Sequence, residues 1–226
     1  MTTLSGFLAQ GQSVPARVRS FGGLTESSHR WLQIAAALAI LLALSPLLLS
    51  VALLILLYDG RPIIYGHYRV GRGGQLFRCL KFRTMVRDSQ ARLDELLRTD
   101  EAARLEWERD RKLTNDPRIT PIGRFLRKTS LDELPQLLNV LRGDMLLVGP
   151  RPITVAELEK YGRVRWHYLS TMPGVTGLWQ VSGRNDLSYD ERVNLDRLYV
   201  EHRSLWGDLV ILFRTVKVVL SRDGAS

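Results

Sequence analysis

The 226-residue sequence has a single cysteine, Cys79, and only four histidines, His29, His67, His167 and His202, all far apart. One thiol excludes an internal disulfide and a cysteine-based zinc site, and it fits a reducing, cytosol-facing environment. The scattered histidines offer no metal knuckle. No internal repeat and no low-complexity tract is present, which excludes a solenoid. Acidic residues are the scarcer charge, 23 Asp and Glu against 32 Lys and Arg, for a formal charge of +9. That balance favours an anionic partner: phosphate, nucleic acid or an acidic membrane surface. The cations are spread along the chain with no nucleic-acid motif beside them, so nucleic acid is not an expected partner.

Charge is missing altogether from Ile34 to Leu57. As a straight helix this run would be about 36 Å long, against a hydrocarbon core of about 30 Å. It is too long for the apolar part of a signal peptide, and no small-residue cleavage site follows it, so it is expected to stay attached. Ser45-Pro46 lies near its middle, where proline removes a backbone donor and crowds the carbonyl of Leu42. One reading is a kinked transmembrane helix, since such kinks are tolerated in membranes. The flanks pull the other way: Arg17, Arg19 and Arg30 precede the run and Arg61, Arg69 and Arg72 follow it, so basic residues mark no outside end. A re-entrant helix-break-helix, entering one leaflet and returning, accounts for both the midpoint and the flanks.

The remaining chain reads as an α+β unit. Residues 1–28, rich in Ser, Gly and Gln, read as a flexible lead-in, 29–58 as the membrane segment and 59–226 as a cytosolic globular domain. Ile63 to Val70 and Leu76 to Met85 are strand-like and flank Gly71-Arg72-Gly73-Gly74, which predicts a hairpin. A phosphate cradle is the sharper reading of those glycines, but no helix start follows them. Residues 87–113 predict a solvated helix or helical pair. Thr120-Pro121 gives an N-cap followed by proline at the first helical position, opening a helix with Arg124, Arg127 and Lys128. A second helix is expected from near Asp132 to Gly143. Met145 to Val148 and Leu178 to Val181 predict strands. Leu205 to Leu220 predicts an amphipathic helix, either at a membrane interface or packed on the core.

Chemistry concentrates in Ser130-Leu131-Asp132-Glu133-Leu134-Pro135. Neighbouring residues on a helix point about 100° apart, so Asp132 and Glu133 are not a face-to-face pair sharing a proton. Ser130 with Glu133 also fits a capping box, and Asp132 suits a helix start for purely electrostatic reasons. The alternative is catalytic: a carboxylate preceded by Arg127 and Lys128 stays ionised among anionic groups, as a nucleophile must. Arg151, set between Pro150 and Pro152, presents a guanidinium fork from a stiff backbone, suited to a phosphate or simply to a rigid turn. Lys81 and Arg83 share one side of a strand and could meet an anionic head group or face acidic lipid.

Together these segments resemble the small monotopic phosphoglycosyl transferases that initiate bacterial glycan assembly on undecaprenyl phosphate. The resemblance rests on Ser45-Pro46, KFRTM at 81–85, DPRITPIGRFLRKTSLDELPQLLNVLRGDM at 116–145, VGPRP at 148–152 and PGVTGLWQVSGR at 173–184. It implies a re-entrant membrane helix, a helix-rich globule with a small sheet and interfacial amphipathic helices, and a catalytic dyad at Asp132 and Glu133. By that resemblance Asp132 attacks the β-phosphate of a UDP-sugar, UMP leaves, and polyprenyl phosphate takes up the sugar phosphate. Asp132 and Glu133 would hold Mg²⁺. Arg127 and Arg151 would bind phosphate, Arg184 would lie near the nucleotide, and Lys81 and Arg83 would meet the lipid phosphate. The stretch after Pro152, with Glu157-Leu158-Glu159-Lys160-Tyr161-Gly162, looks most like exopolysaccharide-initiating members that transfer galactose or glucose phosphate. The implied place is the bacterial inner membrane at its cytoplasmic face, among membrane lipids, with a homodimer left open. A stand-alone catalytic version is expected, since the added helices and N-terminal domain of longer relatives are not in the sequence.

Two other classes compete. A glycosyltransferase releasing UDP usually carries an Asp-x-Asp metal motif, and the sequence has none. A non-enzymatic basic membrane scaffold of a polysaccharide assembly complex accounts for the charge and the anchor but not for the clustered motifs.

Overall fold

The computed structural model describes residues 26–110, 113–183 and 187–221. Most of the lead-in, including Arg17 and Arg19, and the loop residue Arg184 lie outside the described residues.

Helix α1, Glu26–Tyr58, is the one helix among the described residues long and apolar enough to cross a membrane. At about 1.5 Å per residue it is roughly 50 Å long. It stays helical through Ser45-Pro46. Pro46 cannot donate to the carbonyl of Leu42, and the Ser45 hydroxyl donates there instead at 2.8 Å. One stripe of the helix, His29, Gln33, Ala37, Val51 and Ile55, is buried against the rest of the chain. Leu42, Leu49, Leu53 and Leu57 on the other faces are exposed. A helix apolar all round but buried along one stripe belongs in lipid rather than water.

Both ends of α1 are tied to the same globule. Near its start, His29 Nε2 lies 3.0 Å from Asp208 Oδ2, and the Leu147 amide donates to Gln33 Oε1 at 2.7 Å. At its end, the Thr120 hydroxyl donates to Asp59 Oδ2 at 2.9 Å and Arg83 Nη2 donates to the Gly60 carbonyl at 2.8 Å.

The hairpin forms as expected, with β1 (Ile64–Val70) antiparallel to β2 (Leu76–Phe82) and Val70 opposite Leu76. The glycines between them make a tight turn, with Gly73 and Gly74 at positive φ. The second strand ends at Phe82, three residues short of Met85, which instead makes an isolated bridge to Ile119. The pair α2 (Ser89–Thr99) and α3 (Glu101–Asp110) follows, then α4 (Pro121–Lys128), where Thr120 accepts from the Gly123 amide at 3.0 Å as the N-cap.

The next helix, α5 (Gln136–Arg142), starts after Pro135 rather than at Asp132. Residues Leu131–Glu133 form a separate 3₁₀ turn, because proline at 135 cannot bond back into a helix begun earlier. Gly143 ends α5 at φ 85°. Strand β3 (Leu146–Val148) pairs in parallel with β4 (Gly174–Thr176). The strand expected at Leu178 to Val181 is instead a 3₁₀ turn over Trp179–Val181. Four apolar residues in a row mark burial without distinguishing strand from helical turn. Helices α6 (Val155–Lys160), α7 (Arg165–Leu169), α8 (Tyr189–His202) and α9 (Leu205–Ser221) complete the chain. Helix α9 packs on the core through the buried Asp208 and Ile211 and leaves Trp206, Leu209, Phe213 and Val216 exposed.

Candidate active site

Three elements converge on the Asp-Glu turn. Asn139, fully buried on α5, stitches the free edge of β2: its Oδ1 accepts from the Leu80 amide at 3.0 Å and its Nδ2 donates to the Arg78 carbonyl at 2.8 Å. That fixes Lys81, one residue on, opposite the turn. Gly123 lets α4 lie directly on the backbone of Thr84, since a Cβ at 123 would stand 2.1 Å from the Thr84 oxygen. Arg127, one turn later, then donates from Nε to the Thr84 hydroxyl at 2.9 Å.

Glu133 is the anchored carboxylate. Its Oε1 accepts from Lys81 Nζ at 2.7 Å and from Arg151 Nη2 at 3.2 Å. Burial works to raise its pKa, but Arg151 and Lys81 overrule it and hold the group down at about 2. Arg151 in turn lies over the Trp179 ring, 5.8 Å from its centroid, and Arg192 lies 4.9 Å from the same centroid.

Asp132 contrasts with its neighbour. It is buried, and no described side chain or amide donates a hydrogen bond to it. Burial pushes its pKa up to about 6; Glu133 adds to the rise, while Lys81, Arg127 and Arg151 oppose it. The adjacent carboxylates are thus driven apart, one held ionised and tied to two cations, the other more basic and without a hydrogen-bond donor among the described residues. That division is what nucleophilic chemistry beside an electrostatic anchor requires.

Of the residues singled out from sequence, the structure brings together Asp132, Glu133, Lys81, Arg127 and Arg151. Arg83 is not with them: buried, it faces the end of α1 at Asp59 and Gly60. The capping box between Ser130 and Glu133 does not form, because Ser130 is left-handed with no side-chain cap and Glu133 turns to its cations. Thr84, Asn139 and Trp179 were missed. Thr84, Asn139 and Trp179 sit inside the motif stretches at 81–85, 116–145 and 173–184, so the motifs mark the region but not the contacts. Nearby, Asp116 and Arg118 form a buried bidentate pair at 2.8 and 2.6 Å, with Arg118 also stacked on Trp107.

For a divalent cation, no group of three or more His, Cys, Asp or Glu stands together among the described residues. The donors that remain are Asp132 and the second oxygen of Glu133. One or two carboxylates completed by substrate phosphates is the usual Mg²⁺ arrangement, so the residues present fit that ion better than an all-protein cage.

The sequence profile of the bacterial sugar transferase family matches residues 24–222. Over 212 residues the chain is 57% identical to an undecaprenyl-phosphate galactose phosphotransferase of Salmonella typhimurium, covering 92% of this chain and 44% of that protein. It is 50% identical over 208 residues to the exopolysaccharide production protein ExoY of Sinorhizobium fredii, covering 92% and 91% of the two chains. A UDP-glucose:undecaprenyl-phosphate glucose-1-phosphate transferase of Escherichia coli is 36% identical over 211 residues, 90% of this chain and 42% of its own. The chain therefore spans less than half the length of the Salmonella and Escherichia relatives.

Proposed function

The chain belongs to the bacterial sugar transferase family, and from that premise we propose that it transfers a hexose 1-phosphate from a UDP-sugar, with galactose or glucose as the hexose, to undecaprenyl phosphate. The observation that carries this reading is the split dyad: Asp132 uncommitted with its pKa raised, Glu133 anchored between Lys81 and Arg151. The Asp132 carboxylate attacks the β-phosphorus of the donor. The bond from that phosphorus to the bridging oxygen breaks, and UMP leaves with the electron pair. The sugar phosphate rests on Asp132 until the lipid phosphate oxygen attacks the same phosphorus and frees the carboxylate.

Arg127 and Arg151 bracket the turn and bind the donor's phosphate oxygens. Arg184 is assigned to the nucleotide by resemblance alone. Lys81 keeps Glu133 in place, and Arg83 joins the end of α1 to the hairpin beside the lipid surface. Mg²⁺, when bound by Asp132 and Glu133, would neutralise the diphosphate and steady the leaving UMP.

The reaction is assigned to the cytoplasmic face of the bacterial inner membrane. In this reading α1 enters one leaflet, bends at Ser45-Pro46 while remaining helical, and returns. The support is that His29 and Asp59, at opposite ends of the apolar run, are both bonded to one globule, whereas a crossing helix would part its ends by about 30 Å of hydrocarbon. The exposed apolar stripe of α9, next to Arg214 and Lys217, fits the same interface. Single cysteines placed just before and just after α1 in a Cys79→Ala background are expected to react with an impermeant maleimide only after the cells are opened. Labelling of one flank in intact cells would overturn the topology.

Purified protein mixed with UDP-galactose or UDP-glucose and Mg²⁺, without lipid, is expected to release UMP in a burst and to carry a phosphohexose on Asp132, detected by mass spectrometry. Addition of undecaprenyl phosphate should discharge the adduct. Release of UDP would indicate a glycosyltransferase, and release of neither nucleotide would leave a scaffold.

A further inference from the structure

Ser130 is the one residue other than glycine at positive φ among the described residues, with φ 56° and ψ 15°. The conformation itself has a clear purpose. Continued right-handed, the chain would extend α4 through Leu131 to Glu133. The left-handed residue reverses it, so that Leu131 packs against the cluster of Val51, Ile55, Phe82 and Leu126 while Asp132 turns inward. The Ser130 amide still bonds the Arg127 carbonyl at 3.1 Å, and its own carbonyl receives the Glu133 amide at 3.3 Å.

The backbone therefore asks for glycine, or for asparagine, which tolerate this region at little cost; serine does not. A side chain kept at a strained position beside a reactive group calls for a reason of its own. Capping is not that reason, since the Ser130 side chain makes no cap hydrogen bond. Nor does it serve the core, because the residue is only half-buried. What remains is a hydroxyl without a partner in the described structure, two residues from Asp132.

A neutral donor has a particular value there. Lys81 and Arg151 both spend hydrogen bonds on Glu133, and Arg127 Nε spends one on Thr84. One more cation beside Asp132 would bind phosphate but would also make the carboxylate a weaker nucleophile. A hydroxyl supplies a hydrogen bond without that penalty. We propose that the Ser130 hydroxyl touches the transferring phosphoryl group, donating to a non-bridging oxygen as the Asp132–phosphorus bond forms. The proposal rests on the phosphosugar-transfer reading above.

The test is the lipid-free UMP burst of wild-type, Ser130→Gly and Ser130→Ala protein, with thermal midpoints measured on the same samples. Ser130→Gly is expected to raise the midpoint by about 2–4 °C as the strain is relieved, while Ser130→Ala leaves it level or lower. Both should slow the burst by about 10- to 100-fold with little change in the UDP-sugar concentration giving half-maximal rate, the pattern of a contact made in the transition state. A merely structural serine would make the burst follow the midpoint, with Ser130→Gly as fast as wild type. That result would overturn the proposal while leaving the transfer reading intact. Wild-type protein that releases no UMP would remove the transfer reading, and this proposal with it.

Discussion

Asp132→Asn is expected to abolish turnover, by at least about 10³-fold, and at the same time to make the protein more stable at pH 8. The activity loss follows from removing the oxygen that bonds to phosphorus, for which an amide is no substitute. The gain in stability follows from the burial that makes Asp132 basic. Its pKa is raised from an ordinary 3.8 to about 6 in the fold. The folded state thus binds the proton more tightly than the unfolded chain does. Stability falls as pH rises from about 4 to about 6, and above that the native protein carries the whole cost of a buried charge, on the order of 3 kcal/mol.

Asparagine escapes that cost. The variant's advantage should be fully present at pH 8, a midpoint higher by about 6–12 °C, and should shrink toward pH 5. The wild-type burst should show the complementary profile, falling about tenfold per unit below pH 6 as the carboxylate is protonated. Thermal scans and burst rates across pH 5 to 8 decide both. An asparagine variant that turned over normally, or one no more stable than wild type at pH 8, would refute the role given to Asp132.

Gly123→Ala should be strongly destabilising. The new Cβ would meet the Thr84 carbonyl oxygen at 2.1 Å and its carbon at 2.7 Å. Both partners are backbone, so no rotamer change relieves the clash, and α4 must lift away from the chain that follows β2. Overpacking of this kind costs about 1–3 kcal/mol or more, and a rigid contact belongs at the upper end. The midpoint should fall by about 6–12 °C. Because Arg127 reaches Thr84 from the same helix, the UDP-sugar requirement should rise as well. Gly123→Ala with an unchanged midpoint would show that α4 is not held by this contact.

Local signals carried far in this chain. The Thr120 cap, the glycine turn between β1 and β2 and the helical pair at 89–110 are set by residues within a few positions of one another, and each formed as read. The rules failed where an element stopped. Lys81 and Arg83 share a face only while the strand lasts. Because it ends at Phe82, Lys81 reaches Glu133 while Arg83 turns to the end of α1. A helix is expected from near Asp132, yet Pro135 moves the helix start past it and leaves the dyad on a 3₁₀ turn.

Local pattern alone sets a charge-free run ahead of a basic α+β domain, and an Asp-Glu pair just after Arg127 and Lys128. Periodicity, capping and composition act over short distances, and these features need nothing more. How the two carboxylates differ depends on the packing of elements distant in the chain. Lys81 and Arg151 come to Glu133 from separate elements, and the same packing buries Asp132 with no hydrogen-bond donor among the described residues. Desolvation and charge pairing belong to the folded surroundings of a group, so two acids adjacent in the chain can be given opposite characters by what closes around them.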